Sequence, residues 1–459
     1  MNNYDVVIIG AGQAALPLAR KIADKGRRVA IAERKHLGGS CVNFGCTPTK
    51  AVVASARVAH LARRAGEFGI SVSSVSADFP KVLDRARAIV RASQEGISSS
   101  LKEHGVEVLC GQARLTGRDG SGFVLEIDGQ ALSAKDVVIN TGARTVLPPI
   151  EGLSAVEYLH AGNWLKCDQL PKHLIFAGAG AIGLEMAQFY RRMGGEVTVV
   201  ASGSQVATGE DSEVARALQA ILEREGIAFR LNSPVKAVSN DPAGVRAIIQ
   251  SAEKEESITG SHLFLATGRL PNTDDLGLDV IGVRMGAKGA IKVDERLATN
   301  VPGVWVAGDA RGGPMFTHTS WDDHLILESQ LLGDGSRTTT GRIVPYGIFT
   351  DPELGRVGMT EEEARRVHGS QIKVTTFDMK YSGKANEEGE TQGFIKVIAD
   401  GRDKRLLGAA ILAVEGGELV ASCITLMNCG APLTRIRDGI YIHPTLSEAV
   451  QSAVVALNL

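Results

Sequence analysis

The 459-residue chain carries almost no surplus of charge: 50 lysines and arginines face 52 aspartates and glutamates, a formal net charge of −2. So even a balance supplies no long-range positive field for a phosphate backbone, and nucleic acid is not an expected partner. Long apolar runs are missing as well. The uncharged stretch 419–434 falls short of the roughly 20 apolar residues that span a bilayer, and Asn428, Gly430 and Pro432 interrupt it. No membrane span is expected. The start, MNNYDVVIIGAG, lacks a basic region ahead of an apolar stretch and cleavage site, so no secretory signal is expected either. Cysteine is scarce. Six in a chain of this length are too few for a secreted disulfide scaffold, and a reducing, cytoplasmic setting is expected, where a close cysteine pair is chemical rather than structural.

Glycine is what the chain has in excess, 53 residues gathered in short loops, which points to backbone approaching ligands. Length favours two to four domains, and a hydrophobic fraction of 44% is ample for their cores.

Two stretches repeat one design. Residues 4–9 form a short apolar run that enters Gly10-Ala11-Gly12-Gln13-Ala14-Ala15, continues as a helical pattern to about Lys25, and returns as a strand over 28–32 that ends at Glu33. Residues 173–177 lead likewise into Gly178-Ala179-Gly180-Ala181-Ile182-Gly183, a helix to about Met193 and a strand over 196–200. Each is a βαβ unit. One glycine turn of this kind is weak evidence; two in matching contexts are strong. In each, the first glycine makes the turn, the second lets backbone approach a pyrophosphate, and the third position, Ala15 or Gly183, lets the helix pack on the strand. Gly10, Gly12 and Ala15, and then Gly178, Gly180, Ala181, Ile182 and Gly183, are the candidate nucleotide contacts. Glu33, 23 residues after Gly10, stands where a carboxylate accepts both ribose hydroxyls of an adenosine.

Apolar strands at 136–140 and 262–266 end in Thr141-Gly142 and Thr267-Gly268-Arg269, and each closes a nucleotide domain, so Thr141, Gly142 and Gly268 join the candidate contacts. A further strand at 304–307 runs into Gly308-Asp309-Ala310. After about Arg342 the pattern changes to alternating runs at 372–377, 393–399 and 407–413 and a helix from about Gly416. The expected fold class is α/β: two Rossmann-like, doubly wound, three-layer nucleotide-binding domains plus a C-terminal α+β domain. The expected division is 1–145 for the first domain, 146–268 for the second, 269–341 for the return to the first, and 342–459 for the C-terminal domain.

Between the first unit and its return lies Gly38-Gly39-Ser40-Cys41-Val42-Asn43-Phe44-Gly45-Cys46-Thr47-Pro48-Thr49-Lys50. Five residues of regular helix would separate the two cysteine Cα atoms by roughly 7.5 Å of rise and face the side chains apart. A disulfide needs Cα atoms about 4.4–6.8 Å apart, so a bridging pair requires a distorted turn, with Gly45 supplying the freedom. The plainer reading is two buried thiols in a glycine-rich loop.

This segment resembles the GGxCxNxGCxPxK signature of the flavin-dependent pyridine nucleotide-disulfide oxidoreductases, the family of lipoamide dehydrogenase, glutathione reductase and mercuric reductase. The resemblance extends to both glycine loops, to 299–310 as a second FAD-binding motif, to 351–360, and to His443-Pro444-Thr445-Leu446-Ser447-Glu448. It implies that the first domain binds FAD, with Gly39, Ser40 and Lys50 among its contacts and Asp309 on the ribitol, that the second binds NAD(P)H, and that the C-terminal domain forms a homodimer. Cys46 matches the thiol against the flavin, Cys41 the interchange thiol, Lys50 the lysine near flavin N5, and Glu185 its carboxylate partner. His443 with Glu448 matches an acid/base pair that reaches the active site of the other subunit.

The resemblance leaves two matters undecided. At the second nucleotide site Ala201 stands where Glu33 stands in the first, and Ser202 and Thr208 fall where NADPH-dependent relatives carry arginines, so neither coenzyme selector is present. The substrate is a small-molecule disulfide or a thiol-reactive metal ion. No cysteine pair follows Cys429, which removes the C-terminal mercury-delivery route of familiar mercuric reductases. Yet residues 316–323 resemble the mercuric-reductase-like group that includes reactive-chlorine and copper-resistance flavoproteins. A nucleotide-binding regulator would have no need of Cys41, Cys46 and His443 together. Cys110, Cys167, Cys423 and Cys429 are expected as small buried residues without a role. His318 and His324 share no helical face, and no metal site is assigned to them.

Overall fold

The computed structural model describes residues 2–120, 122–252 and 254–459. The first apolar run is strand β1 (Asn2–Ile9), whose Val6-Val7-Ile8-Ile9 core is β-branched and suited to a strand covered on both faces. Helix α1 (Ala15–Asp24) follows the glycine turn and buries Leu16, Leu18, Ala19 and Ile22. Strand β2 (Val29–Glu33) then pairs parallel to β1, from Val6 opposite Val29 to Ile9 opposite Ala32.

The cysteine segment folds as two helices. α2 (Gly39–Asn43) holds Cys41, and α3 (Cys46–Arg63) starts on Cys46, with Pro48 in its first turn where a missing N–H costs nothing. α4 (Phe79–Glu103) runs beside them, capped by the Asp78 carboxylate, which accepts from Lys81 N. β3 (Glu107–Cys110), β4 (Ala113–Asp119), β5 (Gly122–Ile127) and β6 (Gln130–Ile139) complete a sheet of order β3-β2-β1-β6-β5-β4. β6 changes partners along its length. Its start lies antiparallel to β5, and its end runs parallel to the distant strand Val304–Val306.

The second unit repeats the pattern with strand His173–Ala177, helix α5 (Ala181–Met193), strand Glu196–Val200, helix α6 (Ser212–Arg224) and strand Ile227–Arg230. With His262–Leu265 and Leu159–His160 these strands make a parallel five-stranded sheet, flanked by an antiparallel three-stranded one over 235–260. Helix α7 (Thr317–Leu332) returns the chain to the first unit. The C-terminal part is an antiparallel five-stranded sheet over 346–413 covered by helix Gly416–Asn428. The expected strands and helices overlap these elements, several of their ends lying one residue outside. The start of β6, its partners β4 and β5, and the three-stranded sheet were not anticipated.

α3 and α5 cross inside one apolar cluster that includes Ala51, Val52, Ala56, Phe79, Trp164, Leu184 and Phe189. Arg192, near the end of α5, is buried and paired to Glu225 at 2.7 Å and to Asp351 at 2.7 Å, and Arg57 of α3 reaches the same Asp351 at 3.1 Å. Removing one partner from such a network strands the charges that remain. Arg192→Met should lower stability by about 3–5 kcal/mol in urea unfolding; a loss below about 1 kcal/mol would show that the network does not hold the crossing.

Candidate active site

At the first glycine turn, the reason for glycine is the end of β6. Gly10 has φ +96°, and a Cβ there would lie 2.5 Å from the Asn140 carbonyl oxygen; at Gly12 it would lie 2.6 Å from Asn140 Oδ1. Asn140 is buried, accepts from Ala15 N at 3.2 Å and donates to Ala307 O at 2.9 Å, which ties the loop to the helix start and to the returning chain. Glu33 closes the far side, accepting from Ala11 N at 2.9 Å and from Lys35 N at 2.7 Å. Between them lies a cavity of about 310 Å³ lined by Gly10, Glu33, Gly111, Thr141, Asn272 and Leu276 among others. Gly39 approaches Gly12 so closely that a Cβ on it would sit 3.0 Å from the Gly12 Cα. Gly142, with φ +69°, turns the chain just past Thr141.

Asp309 lies in the turn that follows strand Val304–Val306. Burial pushes its carboxyl up, against the opposing pull of Arg269, whose Nη2 donates to it at 3.0 Å and also reaches Ser40 Oγ at 3.3 Å. Arg269 Nε is buried with no hydrogen-bond partner among the described residues. A bare glycine cradle, a rim carboxylate and a buried unpartnered donor together fit a large phosphate-bearing ligand.

The second cavity, about 390 Å³, opens at the end of strand His173–Ala177. It is lined by Gly178, Gly180, Ala201, Ser202, Gln205 and Thr208 among others, with no charged side chain in its wall. A Cβ at Gly178 would strike Ala266 O at 2.3 Å and one at Gly183 would strike Gly178 O at 2.3 Å, whereas Gly180 faces open space. Ala181 and Ile182 begin α5 beside it, and Gly268, φ +105°, follows the strand that ends at Leu265.

The two thiols lie on α2 and at the head of α3. Phe44 and Gly45 break the helix so that Cys41 and Cys46 become hydrogen-bond partners. Gly45 has φ −104°, not a left-handed value; a Cβ there would come within 3.1 Å of Ser40 O, so closeness rather than a positive φ asks for glycine. The Cys46 thiol is pulled down to about 6 by the hydrogen bond from Cys41, by the Thr317 hydroxyl at 3.2 Å and by the charge of Lys50, against the effect of burial. The first position of an 18-residue helix acts in the same sense. Cys41 moves the other way, pushed well up by its hydrogen bond to Cys46 and by burial. Lys50, one turn along α3, meets Glu185 of α5 at 2.8 Å. Glu185 is buried and also accepts from Phe349 N at 2.9 Å, and the Lys50 ammonium stands 4.2 Å over the Phe349 ring.

His443 and Glu448 are joined to each other, Nδ1 to Oε1 at 3.0 Å. Thr445 N, donating at 2.8 Å, and then His443 hold the Glu448 carboxyl below the usual carboxylate range. Within the single chain neither bonds to Cys41 or Cys46 among the described residues. The His443 side chain is 80% exposed, beside the fully exposed Ile440 and exposed Ile442.

One expectation needs correction. Cys110 and Cys429 are exposed and Cys167 is partly so; only Cys423 is a buried small residue, because the other three lie at strand and helix ends or in a short connection rather than inside a packed face. His318 is engaged by Pro345 O, to which its Nε2 donates at 2.7 Å, and His324 is buried against Trp321. Thr317, Arg269, Phe349 and Asp323 had no role in the sequence reading; the last accepts from Gly308 N at 2.7 Å beside Asp309. Arg269 follows a strand-ending glycine and Thr317 lies in the divergent segment 316–323, which were the available signals.

Residues 4–323 match the model of the pyridine nucleotide-disulphide oxidoreductases, and residues 344–454 match that family's dimerisation domain. The chain belongs to this family. Among its relatives is the probable pyridine nucleotide-disulfide oxidoreductase RclA of Escherichia coli, 33% identical over 455 residues that cover 98% of each chain. A dihydrolipoyl dehydrogenase of Chlorobaculum tepidum is 33% identical over 98% of this chain and 96% of its own. A mercuric reductase of Streptomyces lividans is 31% identical over 98% of this chain and 95% of its own. The solved Cu(II) complex of the HOCl-induced flavoprotein disulfide reductase RclA from E. coli superposes with a TM-score of 0.90 at 32% identity, over 99% of this chain and 100% of that one. As a member of the family the protein is an FAD-dependent oxidoreductase that uses NAD(P)H, and the residues around the first cavity fit FAD. No helix among the described residues is long and apolar enough to cross a membrane.

The shared proton of the two thiols sets a measurable pH. The reduced protein should react with a small alkylating reagent along a pH–rate limb centred near 6, where an unperturbed thiol gives about 8.5. Thr317→Val should move that limb upward. A limb at the unperturbed value would contradict the geometry.

Proposed function

We propose that the protein is an NAD(P)H:disulfide oxidoreductase that works through a Cys41–Cys46 redox pair. The observation that carries this reading is geometric: Cys41 on α2 and Cys46 at the head of α3 flank a broken turn, with the Thr317 hydroxyl 3.2 Å from Cys46 and the Lys50–Glu185 ion pair one turn along α3. Gly10, Gly12, Ala15, Glu33, Gly39, Ser40, Thr141, Gly142 and Asp309 would hold FAD, and Gly178, Gly180, Ala181, Ile182, Gly183 and Gly268 the nicotinamide coenzyme. Bound FAD supplies the two-electron relay between the nicotinamide and the disulfide.

The residues then divide the thiol chemistry. Cys41, protonated in the resting dithiol, gives its proton to His443 and attacks one sulfur of the substrate disulfide. The substrate S–S bond breaks, and the departing thiolate takes the proton back from His443, whose ring Glu448 holds in one tautomer. The Cys46 thiolate next attacks the Cys41 sulfur, which restores the Cys41–Cys46 disulfide and releases the second half of the substrate as a thiolate, which takes its proton from water. Since His443 is exposed and bonds to neither thiol of its own chain, the dyad is taken to come from a second copy, as the dimerisation domain supports. Mixed dimers of Cys41→Ser and His443→Ala subunits should then regain activity that neither homodimer has, and His443→Ala alone should lose roughly 10²–10⁴-fold in disulfide turnover. Failure of the mixture to recover any activity would sink the shared site.

A second reading is a metal-ion reductase, with the same two thiols as soft ligands; it is favoured by the Cu(II) complex of the structurally similar RclA. Steady-state rates with small disulfides against Hg(II) and Cu(II) decide between them. The neutral wall of the coenzyme cavity neither hydrogen-bonds a 2′,3′-diol as a carboxylate does nor neutralises a 2′-phosphate as arginine does. NADH and NADPH should therefore differ by less than about a hundredfold in kcat/KM, roughly 2.7 kcal/mol, with a lean toward NADPH; a larger ratio would place a selector elsewhere.

A further inference from the structure

One peptide bond inside the cysteine segment is held at both of its polar atoms. The Gly45 N–H donates to Ser40 O at 2.7 Å. The Phe44 carbonyl of the same peptide accepts the indole Nε1–H of Trp164 at 2.9 Å. Phe44 (φ −140°, ψ −24°) and Gly45 (φ −104°, ψ −116°) are where the chain leaves helical geometry between the two thiols. The orientation of this peptide therefore decides how α2 ends and where α3 starts.

The donor sits on a rigid base. Trp164 is 1% exposed, and its ring meets Phe189 of α5 edge-on at 6.3 Å. The next carbonyl, Leu165 O, accepts two hydrogen bonds from Arg87 of α4, at 2.7 and 3.2 Å. Packing alone would be met by any large aromatic ring at this position; the nitrogen is the informative atom, because a buried indole N–H requires a partner and Phe44 O is the one it has. A connection of the second nucleotide-binding unit, between strands Leu159–His160 and His173–Ala177, thus fastens the turn between the thiols.

We propose that Trp164 is a positioning residue for the dithiol: through the Phe44 carbonyl it fixes the turn that keeps Cys41 and Cys46 within reach of one another, and so favours the disulfide over the dithiol. The inference rests on the redox reading of the pair given above. The disulfide is stabilised by the effective concentration of one thiol at the other, and a turn free to swing lowers that concentration.

The test uses the FAD-loaded protein and its Trp164→Phe variant in dithiothreitol redox buffers. There the buffer dithiol gives two electrons and two protons to the Cys41–Cys46 disulfide and closes to its own cyclic disulfide. Alkylation followed by mass spectrometry counts open and closed pairs. Trp164→Phe should shift the equilibrium about tenfold toward the dithiol, about 30 mV for a two-electron couple, with FAD content unchanged. A shift within twofold of the parent overturns the proposal. Should Trp164→Phe fail to hold FAD, benzothienylalanine at position 164, with sulfur in place of the N–H on a ring of the same shape, gives the decision by the same two criteria. A parent protein whose pair never closes in any buffer overturns the redox reading itself, a result distinct from a variant that matches a parent that does close.

Discussion

The contact on which the site depends is the ion pair of Lys50 and Glu185. Glu185 is almost wholly buried, and a carboxylate out of water is tolerable only with a charge partner and satisfied lone pairs. It has both, in the Lys50 ammonium and the Phe349 N–H. The pair joins α3, which begins on a thiol, to α5, which begins at the coenzyme cavity, and the lysine also lies on an aromatic ring at the start of the C-terminal part. Because the buried Glu185 carboxylate needs the lysine, the ion pair ties the two helices together at this level. The positive charge so held is then available to Cys46, which it helps to ionise.

What the sequence disclosed about this arrangement follows the backbone. The glycine turns were legible because only glycine tolerates the approach of Asn140 O and Ala266 O at 2.5 and 2.3 Å from a Cβ, and such a constraint leaves a mark at a single position. The strands were legible for a similar reason, as β-branched runs that end in turn residues. Side-chain partners drawn from distant segments were not. Thr317 on Cys46 and Trp164 on Phe44 each join residues more than a hundred apart, Arg269 and Asp309 are forty apart, and no local pattern encodes the meeting. Gly45 shows the difference in one residue: its importance was visible, but the cause lies in the approach of Ser40 O rather than in a left-handed turn. Cys110, Cys167 and Cys429 show the opposite error, since composition suggests burial for a thiol and says nothing of whether its strand or helix end is covered.

The two nucleotide cavities share a frame and differ in their electrostatics. The first ends in a carboxylate held by backbone N–H groups. The second ends in Ala201 and Ser202 and has an uncharged wall. Glycine geometry is thus conserved between the halves of one chain where phosphate must approach backbone, and it is released where only the ribose is read. A binding cradle and its selectivity are separable parts of the βαβ unit, the first fixed by sterics and the second by one or two side chains at a strand tip.

Asn140 has a consequence for the order in which the protein is made. Its side chain joins Ala15, near the beginning of the chain, to Ala307, 167 residues beyond itself. The first nucleotide loop emerges early in synthesis, yet its supporting amide has an unfilled donor until two-thirds of the polypeptide has been translated. During that interval the second unit, whose strands lie between residues 159 and 265, has already been made in full. The earlier nucleotide fold thus depends on residues that leave the ribosome only after every strand of the later one.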